Sequence, residues 1–173
     1  MGSAVSAPPV RRDRGAELEG AKVLAVSLRP AAATDCQQVW IWRNDPEARE
    51  ASFNSAQIPI DVHERWFSDA LHRDDRKLFI IVADAVAVGT ARLDIAGCES
   101  AVSINLAREW RGRGVGSSAL RALVELAFGE LAIDHLIASV KPDNHASLAA
   151  FARAGFTRTQ SGPAVRFERR RIR

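Results

Sequence analysis

Apolar residues along the chain follow two spacings, one typical of strands and one typical of amphipathic helices. Residues 101–106 and 135–140 are short and largely apolar, which is typical of buried strands. Residues 115–129 instead carry apolar side chains three and four positions apart, as on one face of a helix. Because the two spacings succeed each other along the chain, the pattern predicts an α/β sandwich.

The complete pattern predicts seven strands and four helices. The strands are expected at residues 23–28, 78–83, 85–93, 100–106, 135–140, 156–159 and 165–169, and the helices at residues 33–42, 61–73, 115–129 and 144–154. Residues 47–60 read as an irregular segment. Asp84 and Ala85 are expected to turn a hairpin between the second and third strands.

The first 22 residues differ from the rest of the chain. They are rich in Ala, Pro, Ser, Arg and Glu and show no apolar periodicity, so residues 1–22 are expected to form a disordered leader. Residues 23–173 are then a single domain, as a chain of 173 residues predicts.

A glycine-rich stretch, residues 111–118, joins the strand at 100–106 to the helix at 115–129. It reads Arg-Gly-Arg-Gly-Val-Gly-Ser-Ser. Glycines allow the backbone to approach a ligand closely, and the first turn of a helix has N–H groups without helical partners. Together with the positive end of the helix dipole, these groups predict a cradle for a phosphate or diphosphate.

The spacing within this stretch separates several kinds of phosphate loop. No lysine is present for a Walker loop, and Ser117 stands where a dinucleotide fingerprint needs its third glycine. Arg111, Gly114 and Gly116 instead fit the pattern Arg-x-x-Gly-x-Gly. Taken alone, the stretch is also compatible with an ordinary glycine-rich turn.

A second motif lies about 30 residues downstream. Asn144 is followed by Ser147, Phe151, Gly155 and Phe156 in a fixed register. With the glycine-rich stretch before it, this segment resembles the GCN5-related N-acetyltransferases (the GNAT superfamily) over roughly residues 24–170.

The resemblance implies both a fold and an activity. The sheet would be mixed, with about six to seven strands and helices on both faces, and the strands at 100–106 and 135–140 would splay apart. The activity would be direct transfer of an acetyl group from acetyl-coenzyme A (acetyl-CoA) to a primary amine.

The resemblance also assigns donor-binding residues. Backbone N–H groups of the glycine-rich stretch would hold the diphosphate, with two flanking arginines adding charge, and the preceding strand would pair with the pantetheine arm. An N–H of that strand would polarise the thioester carbonyl, and Asn144 would bind the pantetheine or a water while also capping its helix. The residues assigned to acetyl-CoA are Ile104, Asn105, Leu106, Arg111, Gly112, Arg113, Gly114, Val115, Gly116, Ser117, Asn144 and Phe151.

One departure from the family pattern concerns the leaving thiolate. Many members carry a tyrosine where Phe151 stands, and this chain contains no tyrosine. Either the thiolate leaves without a dedicated acid, taking a proton from water or Ser147, or the protein binds acetyl-CoA without turnover. The intact remainder of the donor motif favours turnover.

Three residues are candidate general bases, with Glu99 preferred and His63 second. Glu99 opens the strand that leads to the glycine-rich stretch, where family members often carry an acidic base, and Asp94 ends the strand before it. His63, in the helix on the acceptor side, can titrate near neutral pH. The catalytic candidates are therefore Glu99, His63, Asn144 and Ser147, with no metal.

The acceptor is expected between residues 42–47 and 58–67. These segments resemble relatives that acetylate a nucleotide-linked amino sugar and relatives that acetylate the N-terminal amine of ribosomal proteins. Arg43 and Arg49, with the aromatic residues Trp42, Phe53 and Trp66, favour the sugar. A non-catalytic acyl-CoA sensor and a basic RNA-binding adaptor are alternatives of another class.

Composition restricts the kinds of binding partner that are expected. A net charge of +3 suits an anionic cofactor without requiring a nucleic acid, and the five arginines between residues 166 and 173 are expected on a solvated edge strand. Two cysteines are too few for a zinc site or a disulfide framework, and no apolar run reaches the length of a membrane span. A cytoplasmic protein, monomeric or homodimeric, is expected.

Overall fold

A seven-stranded mixed sheet runs through the centre of the protein, in the order β1-β2-β3-β4-β5-β7-β6. The computed structural model describes residues 24–160 and 162–172. The strands are β1 (Val26–Pro30), β2 (Arg76–Ala83), β3 (Val86–Ala96), β4 (Glu99–Leu106), β5 (His135–Val140), β6 (Thr157–Gln160) and β7 (Val165–Arg170). Neighbouring strands pair antiparallel except β4 and β5, which are parallel.

Helices cover both faces of the sheet. They are α1 (Cys36–Asn44), α2 (Pro46–Glu50), α3 (Ile60–Leu71), α4 (Val115–Gly129) and α5 (His145–Arg153), with short 3-10 turns at Ala33–Asp35 and Arg108–Trp110. The mixed sheet with helices on both faces confirms the predicted fold class. The predicted leader at residues 1–22 lies outside the described residues, and the domain boundary stays a prediction.

Two apolar clusters hold these layers together. On one face, Leu120 and Leu123 of α4 are buried against Leu93 of β3 and Leu136 of β5. Each such side chain contributes about 1.5–3 kcal/mol when fully buried. On the other face, α1 and α3 pack on Ile80 of β2. The apolar residues that recur every three or four positions in α4 are thus the ones that pack against the sheet.

The hairpin between β2 and β3 turns where the sequence predicts it. Asp84 and Ala85 both have positive φ, 46° and 67°, as a two-residue turn of type I′ requires. The Asp84 carboxylate also accepts a hydrogen bond from the backbone N–H of Ala25 (3.1 Å), which ties the turn to the residues leading into β1.

Two sequence-based predictions need correction. Residues 47–50, expected to be irregular as part of the segment 47–60, belong instead to α2, because Pro46 occupies the first helical turn and the Asp45 side chain caps it by accepting from Ala48 N–H (3.0 Å). The arginine-rich strand β7 is not an edge strand but lies between β5 and β6. Two of its arginines contact Glu168 and so are partly neutralised.

Within the described residues, no helix combines the length and the apolar character that crossing a bilayer would require.

Replacing Gly89 tests the close approach of β3 and β4. A Cβ there would overlap the carbonyl oxygen of Asn105 and lie 2.9 Å from Leu106 Cα. Gly89→Ala should lower the free energy of unfolding by about 1–3 kcal/mol, measured by urea denaturation.

The matched control is Gly129→Ala at the end of α4, where an added Cβ meets nothing within 4 Å. It should leave stability unchanged or raise it by about 0.5–1 kcal/mol. Equal stability of the two variants would contradict the close packing of the two strands at Gly89.

Candidate active site

The parallel strands β4 and β5 pair only over their first halves. The ladder runs from Glu99 opposite His135 to Ala101 opposite Ile137 and, among the described residues, continues no further. β4 nevertheless extends to Leu106, paired along its whole length with β3. The two strands therefore splay, as expected, and leave an opening between them.

Backbone groups of β4 face this opening. Ala107 N–H donates to Val88 O on the β3 side (2.8 Å). Successive residues of a strand direct their backbone N–H and C=O groups to opposite sides. The groups of Asn105 therefore face β3, and those of Ile104 and Leu106 face β5. Within the described residues, no strand pairs with this stretch, so the groups of Ile104 and the N–H of Leu106 can pair with an extended ligand, whereas the Leu106 carbonyl accepts from Arg111.

The glycine-rich stretch follows directly after β4. Gly112 and Gly114 have φ of 73° and 80°, and Gly114 is the N-cap residue of α4. This left-handed conformation favours glycine and turns the chain so that α4 begins at Val115. The first-turn N–H groups of Val115 and Gly116 have no helical acceptor and can bind an anion.

Two side chains of this stretch differ in what they offer a phosphate. The Ser117 hydroxyl is buried and donates to Gly114 O (3.0 Å), so it braces the loop and is not directed at a phosphate. Arg113 stacks over the Trp110 ring, its guanidinium carbon 5.6 Å from the ring centroid. Arg113 is exposed and keeps its charge available beside the loop.

Arg111 connects the loop to α2. Its guanidinium donates to Asp45 Oδ2 (2.8 Å), Glu47 Oε2 (2.9 Å) and Leu106 O (3.1 Å). Partial burial alone would raise the pKa of Asp45, but hydrogen bonds from Arg111 and Ala48 N–H hold that pKa below its ordinary value. All three guanidinium nitrogens of Arg111 thus donate to acceptors within the protein, and the expected contact of Arg111 with the diphosphate stays a prediction.

The start of α5 lies after β5, across the opening from the end of β4. Asn144 caps this helix, as predicted, with its Oδ1 accepting from Ser147 N–H (3.1 Å). The capped end is fixed to α2 by Lys141, whose Nζ donates to Glu50 O (2.7 Å). Asn144 and Ser147 are only partly buried, so both remain accessible to a ligand.

Phe151 is a core residue. Its side chain is 2% exposed, packed edge-on against Phe156 (5.0 Å between ring centroids) and stacked on Phe167 (5.6 Å). The aromatic residue that matches the family motif in α5 thus also fills the hydrophobic core. Phe151 therefore has a structural role in the core, and its contact with acetyl-CoA stays a prediction.

Glu99 lies far from the glycine-rich loop. It starts β4, about 7 Å before the splay that begins after Ala101 and about 23 Å before Leu106, which leads into the loop, at about 3.3 Å per residue. Its carboxylate lies 2.8 Å from Nδ1 of His135, whose Nε2 lies 3.1 Å from Glu168. The expectation that Glu99 is the base is therefore not supported by its position.

His63 is not accessible either. It is 2% exposed, in contact with the rings of Trp66 and Phe67, and its Nε2 lies 3.0 Å from Cys36 O. Burial lowers its pKa, although the Cys36 carbonyl and Glu64 act in the opposite direction. A buried neutral ring that joins α3 to α1 is unsuited to accept a proton from a substrate.

The face of the sheet opposite α4 carries the polar residues of β3 and β4. Val102 and Ile104 pack into the α4 cluster, so Ser103 between them points to the other face. There Arg92 of β3 lies opposite Ser103 in register. Sequence reasoning missed Arg92, although the alternation of polar and apolar residues over positions 90–95 places it on the polar face of a strand.

The aromatic residues expected to stack on an acceptor have different environments. Trp42 is 7% exposed within the α1–α3 cluster, whereas Phe53 is 59% exposed. Trp66 is partly buried and lies beneath Arg76 and Arg92, whose guanidinium carbons are 5.7 and 6.0 Å from its ring centroid. Phe53 alone of these three presents an open ring.

Several solved structures of acetyltransferases have a similar fold. Among solved structures, the aminoglycoside acetyltransferase AAC(6')-Ib with paromomycin and acetyl-CoA has a TM-score of 0.76 at 21% identity, covering 85% of this chain and 94% of that chain. Spermidine N-acetyltransferase from Vibrio cholerae with CoA and spermine has a TM-score of 0.76 at 16% identity, covering 84% and 95%. These likenesses show the fold. No curated protein sequence matches the chain significantly.

The family model of the acetyltransferase (GNAT) domain matches residues 26–157. This stretch includes the splayed strands, the glycine-rich loop and α5. The chain therefore belongs to the GNAT family, the acetyl-CoA-dependent N-acetyltransferases, as the sequence motifs predicted.

Proposed function

We propose that this enzyme transfers the acetyl group of acetyl-CoA directly to a primary amine of a small molecule, and that the acceptor is a nucleotide-linked amino sugar. The observation that carries the proposal is the unpaired edge of β4 beyond Ala101, which leads into a glycine loop and a helix N-terminus. When bound, acetyl-CoA supplies the acetyl group as an activated thioester.

The chain has groups suited to hold each part of the donor. The N–H groups of Val115, Gly116 and Ser117 bind the diphosphate at the positive end of α4, and Arg113 adds charge. Backbone groups of Ile104 and Leu106 pair with the pantetheine arm. An N–H in this row also stabilises the negative charge that develops on the carbonyl oxygen.

The leaving thiol needs little help from a side chain. A thiol with a pKa of about 8.5 leaves as a thiolate more readily than an alcohol would leave as an alkoxide. Ser147, in the first turn of α5 and partly accessible, offers a hydroxyl that Phe151 lacks. This supports turnover without tyrosine.

Removal of the amine proton is assigned to water. A general base must lie within hydrogen-bond reach of that proton or one water away, a requirement that the positions of Glu99 and His63 do not meet. Asp94, the third candidate base, is bound by Arg76 (2.6 Å) and Arg92 (2.8 Å). The open splay admits solvent to accept the proton.

The charges near the opening favour an anionic acceptor over a peptide amine. A peptide acceptor would favour free carboxylates, but Asp45, Glu47 and Asp94 are each in contact with arginine. The exposed ring of Phe53 offers a surface on which a base could stack.

A thiol-release assay with acetyl-CoA and a panel of amines tests this function. We expect release with a nucleoside-diphosphate amino sugar and much less with a peptide bearing a free N-terminus. Acetyl-CoA binding by calorimetry without release for any amine would instead support a non-catalytic sensor.

Substitution of Gly114 tests the diphosphate cradle. Gly114→Asp puts a carboxylate at the N-terminus of α4 and should weaken acetyl-CoA binding about tenfold or more, measured by calorimetry. Gly114→Asn is the matched control, since asparagine has the same shape, tolerates positive φ and carries no charge. Equal affinity of the two variants would count against the loop assignment.

Substitution of Glu99 tests the assignment of the proton acceptor. Because Glu99 contacts His135 where β4 and β5 are still paired, outside the splay, Glu99→Gln should keep kcat/KM within about twofold of the parent, as expected for a change that leaves the transition state untouched. Steady-state kinetics across pH 6–9 would check this. A large loss of kcat/KM in Glu99→Gln that is reversed at high pH would instead indicate that Glu99 is the general base.

A further inference from the structure

Three arginines from different elements come together on the face of the sheet opposite α4. Arg43 lies on α1, Arg49 on α2 and Arg92 on β3. Arg43 Nη2 donates to Asn54 O (3.0 Å), and Arg49 Nη1 donates to Ser55 O (3.1 Å). Because these carbonyls belong to successive residues, whose Cα atoms are about 3.8 Å apart, the two guanidinium groups lie close together.

Arg92 brings this cluster to the edge of the opening. Its Nη2 lies 3.4 Å from the hydroxyl of Ser103, which is two positions beyond Ala101, where the β4–β5 ladder ends. α1 packs against both β3 and β4, and this packing holds Arg43 above the same part of the sheet.

Several donors of the cluster are buried without a hydrogen bond: Arg43 Nη1, Arg49 Nε and Arg92 Nε. Arg92 Nε does lie 2.8 Å from Asp94 Oδ2, as an ion pair without hydrogen-bond alignment. Over residues 24–160 and 162–172, neither Arg43 nor Arg49 contacts a carboxylate. Buried donors without acceptors are unfavourable, and a bound anion would satisfy them.

The cluster also opposes folding electrostatically. Burial lowers the pKa of Arg43 from its ordinary value, and the positive charges of Arg92 and Arg49 lower it further. Like charges held together in a partly buried place are unfavourable unless an opposite charge is present. The arrangement is therefore better explained by a ligand than by stability.

We propose that Arg43, Arg49 and Arg92 form a subsite for a negatively charged group, phosphate or carboxylate, that the amine acceptor carries. This inference rests on the proposed transfer function and narrows its acceptor class. Guanidinium groups bind both oxyanions through paired hydrogen bonds. Polycations such as the paromomycin and spermine in the similar structures would be repelled here.

A binding experiment tests the subsite without turnover. The protein is first saturated with CoA, so that the donor loop is occupied, and is then titrated with inorganic pyrophosphate or with succinate by calorimetry. We expect one of the two to bind and Arg43→Gln to weaken it about tenfold or more. Binding of pyrophosphate identifies a phosphate-bearing acceptor, and binding of succinate a carboxylate-bearing one.

Control variants separate binding from folding. Arg65→Gln removes an exposed arginine of α3 that pairs with Asp61, and it should bind the anion as the parent does. Arg43→Lys keeps the charge and should recover part of the affinity. Pyrophosphate or succinate should raise the melting temperature of the CoA-bound parent but not of Arg43→Gln. Absence of anion binding, or equal binding by parent and Arg43→Gln, would overturn the subsite.

Kinetics distinguish failure of the subsite from failure of the transfer function. In Arg43→Gln, KM for an anionic amine should rise about tenfold while KM for acetyl-CoA is unchanged. Thiol release by the parent with spermine but with no anionic amine would refute the subsite and leave acetyl transfer standing. No release with any amine would refute the transfer function, whereas the calorimetric result would still decide the subsite.

Discussion

The site depends on the early end of hydrogen bonding between β4 and β5. Parallel strands normally satisfy their backbone groups along their whole length, and here the ladder ends at Ala101 and Ile137 while β4 continues to Leu106. Over residues 24–160 and 162–172, no strand pairs with the remaining edge of β4, which still carries backbone polar groups. Because such groups need partners, the splay creates a binding row whose direction is set by the sheet itself.

Arg111 holds the surroundings of this row in place. By binding Asp45, Glu47 and the Leu106 carbonyl together, it joins the end of β4, the glycine-rich loop and α2. The arginine of the Arg-x-x-Gly-x-Gly pattern therefore fixes the position of the loop through contacts within the protein. α2 in turn carries Arg49, so this ion-pair network also positions one arginine of the acceptor face.

The sequence predicted most of the fold because the apolar spacing has a direct physical cause. The bounds of α4 and β5 agree with the prediction, since both elements are buried and their patterns are uninterrupted. The candidate bases were harder to predict, because a sequence does not show at which end of a strand a ligand lies. Glu99 starts the correct strand at the distant end, and His63 turned inward into an aromatic cluster.

Arg43, Arg49 and Arg92 show why tertiary contacts were needed for the acceptor side. They are far apart in the chain and lie on two helices and a strand, so no local pattern relates them. Each alone would be an ordinary surface arginine, but together they are under-satisfied donors that repel each other. Residues that oppose folding in this way are expected where a ligand supplies the missing charge, and here that place borders the splayed end of β4.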